Sequence, residues 1–472
     1  MIYKNRNFFP LFFFIFFAVS CGGGEKSDLG TSQGNNQTNQ TPFTWQSISP
    51  LDAGLDPNKL ENAIDYALVD GGWTQGILVA KDGKIVSERY RSITPNEATS
   101  LASNSVMNTS QEYWLDEYGL KDSSSLVSSW STAKSFTSIL VGIAIDKGFI
   151  SSVEDPASDY ITEWQGDNRS SITIRNLLDM RSTLVPTCGD SSTTSLYPCN
   201  DRVSSGGVLI YADDQLSSCL AAEKAQGSVP QPWSNIGIYE YGHWRYSNCD
   251  TQILGEIIFR STGQDPFTFA DTYLFSKLNM TALWWRDNTE VGQANGNYLT
   301  YCCLDATIRD FAKFGQMILN GGELGDQRIV SESYINSIKN IVNDSVVTEL
   351  ESYAPSFSYG LKFWTIQSAN VIDPQTSETL LYPPSNTIFS TIGFDGQYIV
   401  IDFENNMVIV RNGLYMPYLN YSDQRKMKLN SGSLDQSNYT GTLPAGMGFQ
   451  VSSNFYIQNL LFLINYSKLS NN

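Results

Sequence analysis

Two β-hairpin patterns near opposite ends of the chain constrain its fold more than any other feature. The first covers residues 76–90 around the turn Lys81–Gly83, and the second covers residues 397–410 around Glu404–Asn406. Runs of β-branched and apolar residues on both sides of a short polar turn are typical of hairpins. An isolated hairpin is only marginally stable in water, whereas a sheet of three or more strands is stable. We therefore expect one antiparallel sheet that is formed from N- and C-terminal strands.

Between the two hairpins the sequence is mainly helical. Apolar residues recur at helical spacing in several segments, most of which end at glycine, a residue that favours a helix C-terminus. The predicted helices cover residues 131–147, 172–180, 250–262 and 306–320, and a last one covers 455–463. Strands at both ends with helices between them predict an α+β fold, in which a helical region is inserted into one sheet and the sheet is flanked by helices.

The N-terminus has the pattern of an export signal. Lys4 and Arg6 precede an apolar run over residues 8–17, which is too short to span a bilayer that needs about 20 helical residues. The small residues before Cys21 resemble a bacterial lipoprotein processing site, although a plain secretory signal remains an alternative. We therefore expect a signal peptide over residues 1–21, a flexible Gly-, Ser- and Asn-rich linker over 22–44 and one domain over 45–472. The protein would then be anchored to a bacterial membrane through lipid on Cys21, facing the periplasm or the cell exterior.

Charge and cysteine usage narrow the function. The net charge of −18 repels phosphate backbones, so nucleic acid is not an expected partner. In an oxidising compartment the six cysteines other than Cys21 are expected to form disulfides rather than a metal site. Cys188 and Cys199 close the easiest local loop, whereas we expect that Cys302 and Cys303 do not bond each other. No cofactor or metal is expected.

The single histidine limits the choice of catalytic base. A Ser-His-Asp triad would depend on His243, whose neighbours indicate an ordinary structural turn. The G-x-S-x-G match at Gly30–Gly34 lies in the linker, without the strand and helix that a nucleophile elbow needs. A hydrolase with this sequence would therefore use a different base.

Ser131 and Lys134 provide that alternative. They stand three residues apart at the start of a strongly apolar helical segment, so both side chains lie on one helix face. Burial would lower the pKa of the lysine and allow the amine to act as a base near neutral pH. The alternative is that Ser131 caps the helix and that Lys134 is a solvated residue of its first turn.

Two further segments contain suitable partners for this pair. Tyr246 and Asn248 precede a helix, where a phenol could relay a proton and an amide could orient the lysine. The segment Ile392–Gln397 enters the C-terminal hairpin, and its glycines would let the backbone approach a substrate. Each pattern by itself is also compatible with a purely structural role.

Taken together and in this order, Ser131–Lys134, Tyr246–Asn248 and Phe394–Gly396 resemble the three motifs of the serine β-lactamase and penicillin-recognising superfamily. The similarity covers most of residues 45–465 and is greatest to the class C-like branch of esterases, D-aminopeptidases and 6-aminohexanoate-dimer hydrolases. The resemblance implies the β-lactamase/transpeptidase-like fold and an acyl-enzyme mechanism.

The resemblance also implies a role for each residue. Ser131 would attack a carbonyl, and Lys134 and Tyr246 would share general-base and general-acid duty. Asn248 would position them, and the N–H groups of Ser131 and Gln397 would form the oxyanion hole.

The third motif departs from the family pattern. Phe394 stands where the family has a lysine or histidine, Asp395 stands where it has a hydroxyl residue, and only Gly396 is kept. Because the family groups bind a substrate carboxylate, we expect a substrate that is neutral, cationic or apolar at that end. The sequence therefore favours a hydrolase of esters or small amides that is not an efficient β-lactamase. A D-alanyl peptidase of the cell wall and a non-catalytic lipoprotein with the same fold are the alternatives.

Overall fold

The computed structural model describes residues 42–104, 110–184, 187–189, 196–198, 214–224, 246–287, 296–343, 357–366, 369–382, 388–413 and 454–469, together with Leu209 and Trp244. Residues 1–41, His243 and Cys199 lie outside the described residues, and so do the predictions made for Cys21 and Gly30–Gly34. In the described part of the chain, no helix is long and apolar enough to cross a membrane.

Strands occur at both ends of the described chain and in short pairs between them. They are β1 (Gln46–Ser47), β2 (Gly76–Lys81), β3 (Lys84–Tyr90), β4 (Val127–Ser128), β5 (Thr187–Gly189), β6 (Leu196–Pro198), β7 (Ala282–Trp284), β8 (Leu304–Ala306), β9 (Glu323–Leu324), β10 (Gln327–Arg328), β11 (Phe357–Gly360), β12 (Phe363–Ile366), β13 (Ala369–Ile372), β14 (Thr379–Tyr382), β15 (Ile388–Gly393), β16 (Gln397–Asp402) and β17 (Met407–Asn412).

Most helices lie between the two sets of strands. They are α1 (Pro57–Ala67), α2 (Pro95–Asn104), α3 (Gln111–Glu117), α4 (Ala133–Asp146), α5 (Ile174–Leu178), α6 (Gln215–Ala221), α7 (Asn248–Thr262), α8 (Pro266–Ala270), α9 (Ile308–Leu319), α10 (Glu332–Lys339) and α11 (Ile457–Tyr466). The predicted helices are therefore present, with ends that differ by a few residues.

The central sheet joins the two ends of the chain, as the hairpins predict. Its eight strands have the order β1-β3-β2-β17-β16-β15-β12-β11. Strand β1 is parallel to β3, and every other neighbouring pair is antiparallel. The α+β architecture with an inserted helical region is confirmed.

Both faces of this sheet are buried, which explains the continuous apolar run in β2. Ile77 and Val79 pack in one core cluster with α1 and α11. Leu78 and Ala80, which point to the opposite face, pack in the larger cluster with α4 and α9.

Helix α4 lies inside the larger cluster and is buried from Ala133 to Ala144. A helix that is apolar on all sides belongs in a protein interior. Two of its polar side chains form buried hydrogen bonds. Thr137 Oγ1 donates to the carbonyl oxygen of Thr300 at 2.7 Å, and Ser138 Oγ lies 3.0 Å from Tyr334 Oη. The N-terminus of α4 is thereby fixed relative to the segment that precedes β8.

Two disulfides lie in the described chain. Cys219–Cys249 joins α6 to the start of α7 with a Cα–Cα distance of 5.0 Å. The second joins Cys302 to Cys303, so the expectation that these neighbours do not bond is wrong. That expectation assumed the usual Cα–Cα range of disulfides, whereas the backbone here accommodates a bond at 3.7 Å with Cys303 at a φ of 67°. Cys188 lies in β5, and the predicted bond to Cys199 falls outside the described residues.

Candidate active site

Ser131 and Lys134 meet at the entrance to α4. Ser131 lies in a short 3-10 turn over Trp130–Thr132, and Lys134 lies in the first turn of the helix that follows. Lys134 Nζ is 2.9 Å from Ser131 Oγ, and it donates to the carbonyl oxygen of Tyr301 at 2.8 Å. The amine is therefore held at two points, one of which is the serine hydroxyl.

The surroundings of Lys134 favour its neutral form. Its side chain is 2% exposed. Burial, and secondly the positive charge of Lys362, hold the pKa of Lys134 well below its usual value. A neutral amine that donates to Tyr301 keeps its lone pair for the proton of Ser131, which is what a general base requires.

The predicted Tyr246–Asn248 motif lies beside this pair. Lys134 Nζ is 4.9 Å from the centroid of the Tyr246 ring. The ring stacks on Trp364 with a centroid separation of 6.2 Å, so an aromatic wall fixes it. Asn248 is the first residue of α7 and is buried.

Asp250 holds the turn that carries this motif. Ser247 Oγ accepts from the backbone N–H of Asp250 at 3.1 Å and donates to its carboxylate at 2.7 Å. A second hydroxyl, that of Ser182, donates to the same carboxylate oxygen at 2.7 Å. The N-cap of α7 thus fixes both Tyr246 and Asn248 in position.

The end of β15 touches the turn that carries Ser131 through a glycine. A Cβ atom on Gly393 would lie 2.3 Å from the carbonyl oxygen of Ser129 and 3.2 Å from Cβ of Trp130. Only glycine permits this approach. The structure therefore brings the turn after β15 next to the residues that precede Ser131.

That turn, Phe394–Gly396, links β15 to β16, and hydrogen bonds from Arg411 stabilise its backbone. Arg411, which is 2% exposed, donates to the carbonyl oxygens of Asp395 and Gly396, both at 2.7 Å. Asp395 has a φ of 60° and is partly buried, and its loss of solvation raises the pKa of its carboxyl to about 7. Phe394 is 57% exposed and lies edge-to-face with Trp130 at 6.0 Å between ring centroids.

Gln397 follows the turn and is buried. Its side chain accepts from Asn412 Nδ2 at 2.9 Å and donates to the carbonyl oxygen of Gly413 at 3.2 Å. Its backbone carbonyl oxygen lies 3.2 Å from Thr132 Oγ1, which donates to it. The side chain of Gln397 is thus engaged with the end of β17, and its backbone joins the start of β16 to Thr132.

The structure brings together all three sequence-predicted segments, and it adds two residues that the sequence did not single out. These are Tyr301, through its carbonyl oxygen, and Lys362, through its charge. A backbone carbonyl leaves no mark in a sequence. Gly393 belongs to the predicted segment Ile392–Gln397, but its close approach is to the backbone of Ser129. Among the described residues, no group of three or more His, Cys, Asp or Glu side chains could hold a metal ion.

Comparison with known proteins places these features in context. A family model described as Beta-lactamase matches residues 67–416. A 6-aminohexanoate-dimer hydrolase of Paenarthrobacter ureafaciens is 26% identical over 290 residues, which is 60% of this chain and 64% of that protein, so the match spans less than two thirds of the relative.

Solved structures agree on the fold. A protein of Bacillus anthracis assigned as a 6-aminohexanoate-dimer hydrolase superposes with a TM-score of 0.51 at 22% identity, over 79% of this chain and 82% of that one. A family VIII carboxylesterase superposes with a TM-score of 0.50 at 15% identity, over 87% of this chain and 97% of that one. At these identities the two structures show a shared fold and no more.

Proposed function

Because this chain belongs to the beta-lactamase family, we propose that it is a serine hydrolase that cleaves esters or small amides through an acyl-enzyme. The observation that carries the proposal is the position of Lys134 Nζ, 2.9 Å from Ser131 Oγ, on a buried lysine with a lowered pKa. The fold and the relatives named as hydrolase and carboxylesterase are in keeping with it.

In the proposed reaction, Lys134 takes the proton of Ser131 as the hydroxyl oxygen attacks the substrate carbonyl. Tyr246 relays a proton to the leaving group, and Asn248 orients the lysine and the substrate. The oxyanion is stabilised by the N–H of Ser131 and by a second N–H from the turn beside it, for which the N–H of Gln397 is our prediction. Water then attacks the acyl-enzyme and gives up a proton to the same residues. The acid product leaves, and the proton returns to the oxygen of Ser131.

The proposed substrate lacks a carboxylate at the end that meets the third motif. Phe394 presents an exposed ring there, and Asp395 presents a carboxyl group instead of a cation or hydroxyl. A carboxylate would meet no positive side chain in this turn, because the guanidinium of Arg411 is buried and already donates to backbone carbonyls. This feature disfavours penicillins and D-alanyl peptides as substrates.

The test compares the full-length wild-type protein with the variant Ser131→Ala. Both are incubated with a fluorophosphonate probe, short-chain nitrophenyl esters, nitroanilides and a fluorescent penicillin. We expect labelling and turnover by the wild type that are both lost in Ser131→Ala. The matched control is Ser138→Ala, a buried serine in α4 about two turns after Ser131, which should retain both activities.

Each alternative has its own result in this experiment. Covalent labelling by the penicillin, without ester turnover, would indicate a D-alanyl peptidase. A folded wild type with neither labelling nor turnover would overturn the proposal and indicate a binding role for the fold.

We further propose that residues 1–44 export the protein and tether it to a membrane through lipid on Cys21. The support for this proposal is the sequence alone: the charged start, the short apolar run and the small residues before the cysteine. Expression in a bacterium with radiolabelled palmitate tests it. Label in the wild type that is absent from Cys21→Ser is the expected result, and an unlabelled, fully secreted wild type would contradict it.

A further inference from the structure

Lys362 is a lysine in an unusual place. It lies in the two-residue turn between β11 and β12, where Leu361 and Lys362 both have positive φ, 47° and 64°. Such φ values are those of the tight hairpin turn that matches the twist of the strands. Its side chain is 1% exposed, and within the described chain its Nζ has no hydrogen-bond partner. Lysine is almost never buried to this degree, so the position calls for a physical reason.

The turn is packed against the elements that build the candidate site. The backbone N–H of Lys362 donates to the carbonyl oxygen of Leu178 at 3.1 Å, and that of Leu361 donates to Asp179 Oδ1 at 2.7 Å. The carbonyl oxygen of Lys362 accepts from Ser135 Oγ at 2.6 Å. Because Ser135 directly follows Lys134, the turn is bonded to the same helical turn as the proposed base.

Two buried carboxylates act electrostatically on the ammonium of Lys362, although neither is hydrogen-bonded to it. Asp250, which is 0% exposed, and Asp179 both favour the charged form of Lys362, although burial prevails and lowers its pKa to about 8. Burial raises the pKa of Asp250, and the charge of Lys362 is the main opposing effect. Asp250 is also the residue that holds Ser247, the middle of the Tyr246–Asn248 motif. The charge of Lys362 therefore acts on the residue that holds the motif, and the backbone of its turn is bonded to the helix of Lys134.

We propose that Lys362 is a positioning residue for the acyl-transfer reaction: its buried ammonium belongs to a turn that is bonded to Ser135, beside Lys134, and to Asp179, and from there its charge acts on Lys134 and Asp250. This inference rests on the proposed function. The groups that face Lys134 are the hydroxyl of Ser131, the carbonyl oxygen of Tyr301, and the rings of Tyr246 and Tyr301. Lys362 is the charged group that acts on it most strongly.

The experiment measures the pH dependence of fluorophosphonate labelling in the full-length protein. In Lys362→Met, an unbranched side chain of similar length replaces the ammonium in the same turn. We expect the midpoint of the acid limb to rise by about 1 pH unit, because the repulsion that keeps Lys134 neutral is removed. Lys362→Arg keeps the charge and should keep the wild-type midpoint.

A matched control separates this effect from a general effect of burying a methionine. Lys313 on α9 is 8% exposed and forms an ion pair with Asp310 at 2.8 Å, away from Lys134. Lys313→Met should leave the midpoint unchanged, whatever it does to stability. An unmoved midpoint in a folded Lys362→Met would overturn the inference, since a purely structural lysine would lower the rate without shifting the profile.

Lys362→Met leaves Asp250 buried without its counter-charge and so could prevent folding. In that case the double variant Lys362→Met/Asp250→Asn is used in its place. Burial and Lys362 are the two influences that lower the pKa of Lys134, so this variant should also raise the midpoint. The experiment gives a different result if the proposed function is wrong. In that case the wild type itself would not be labelled at Ser131, whereas a labelled wild type with unmoved variant profiles overturns the role of Lys362 alone.

Discussion

The two sides of the candidate site differ in how firmly the fold fixes them. On the side of Ser131, Lys134 is 2% exposed and is held by Ser131 and Tyr301. On the opposite side, Phe394 is 57% exposed in a turn that is fixed through its backbone by Arg411. The first side holds the proposed catalytic groups in a fixed arrangement, and the second presents a side chain whose contacts can change without moving them. If the proposed function holds, the substrate preference could change on the second side while the reaction is kept on the first.

The largest expected effect lies on the buried side. Lys134→Met removes the proposed base, and we expect the rate of fluorophosphonate labelling to fall by about 10³-fold. The control is Lys147→Met at the exposed end of the same helix, which should change the rate less than twofold. If Lys134→Met were labelled at the wild-type rate, the lysine would not be the base, and the contrast between the two sides would lose its basis.

The next largest effect concerns Gly393, where the two sides of the site are in contact. In Gly393→Ala the new methyl group would lie 2.3 Å from the carbonyl oxygen of Ser129, so the turn after β15 must move away from the turn of Ser131. We expect about a 10²-fold loss of ester turnover, because displacements of about 1 Å at reacting groups cost that much. The φ of Gly393 is −113°, which alanine also adopts, so the loss should arise from crowding and not from backbone strain.

Thermal unfolding distinguishes this effect from loss of the fold. A variant that unfolds near the wild-type temperature but turns over esters slowly would agree with displacement of the turn. Wild-type turnover would show that the contact of Gly393 with Ser129 has no role in the reaction.

The sequence predicted the buried side better than the exposed one, for a physical reason. Ser131 and Lys134 are three residues apart, in a 3-10 turn and in the α-helix that directly follows it, and this local helical geometry places them together. The two hairpins likewise predicted the sheet, because strand pairs need partners. The contacts of Tyr301 and Lys362 join segments far apart in the chain, through a carbonyl oxygen and a charge, and no local pattern encodes them. The bond between Cys302 and Cys303 was missed because it depends on a backbone conformation that composition does not reveal.

The third effect is a change in the labelling rate of about tenfold per pH unit below the pKa of Lys134, since the rate follows the neutral fraction of this amine. Since burial holds that pKa well below its usual value, the neutral fraction of the amine grows with pH and saturates well before an ordinary lysine would. We expect the labelling rate to rise from pH 6 to mildly alkaline pH and then to level off. Variants of the exposed side, such as Phe394→Ala, should show the same profile as the wild type. A rate that falls steadily from pH 6 to pH 9 in a stable protein would contradict a lysine base.

The smallest effect belongs to Asp395, and it tests whether the exposed side selects substrates. Its carboxyl has a pKa of about 7, so it is largely neutral at pH 6 and largely charged at pH 8. The kcat/KM of an ester with a cationic group should therefore rise relative to that of a neutral ester of the same shape as the pH rises. We expect a change of about threefold, the size of a modest charge contact near the protein surface. Using the ratio of the two kcat/KM values cancels the titration of Lys134, which affects both substrates equally. In Asp395→Asn the ratio should stay constant between pH 6 and pH 8 while turnover of the neutral ester is kept. If the ratio stays constant in the wild type too, Asp395 does not meet the substrate, and selection on this side falls to the exposed ring of Phe394.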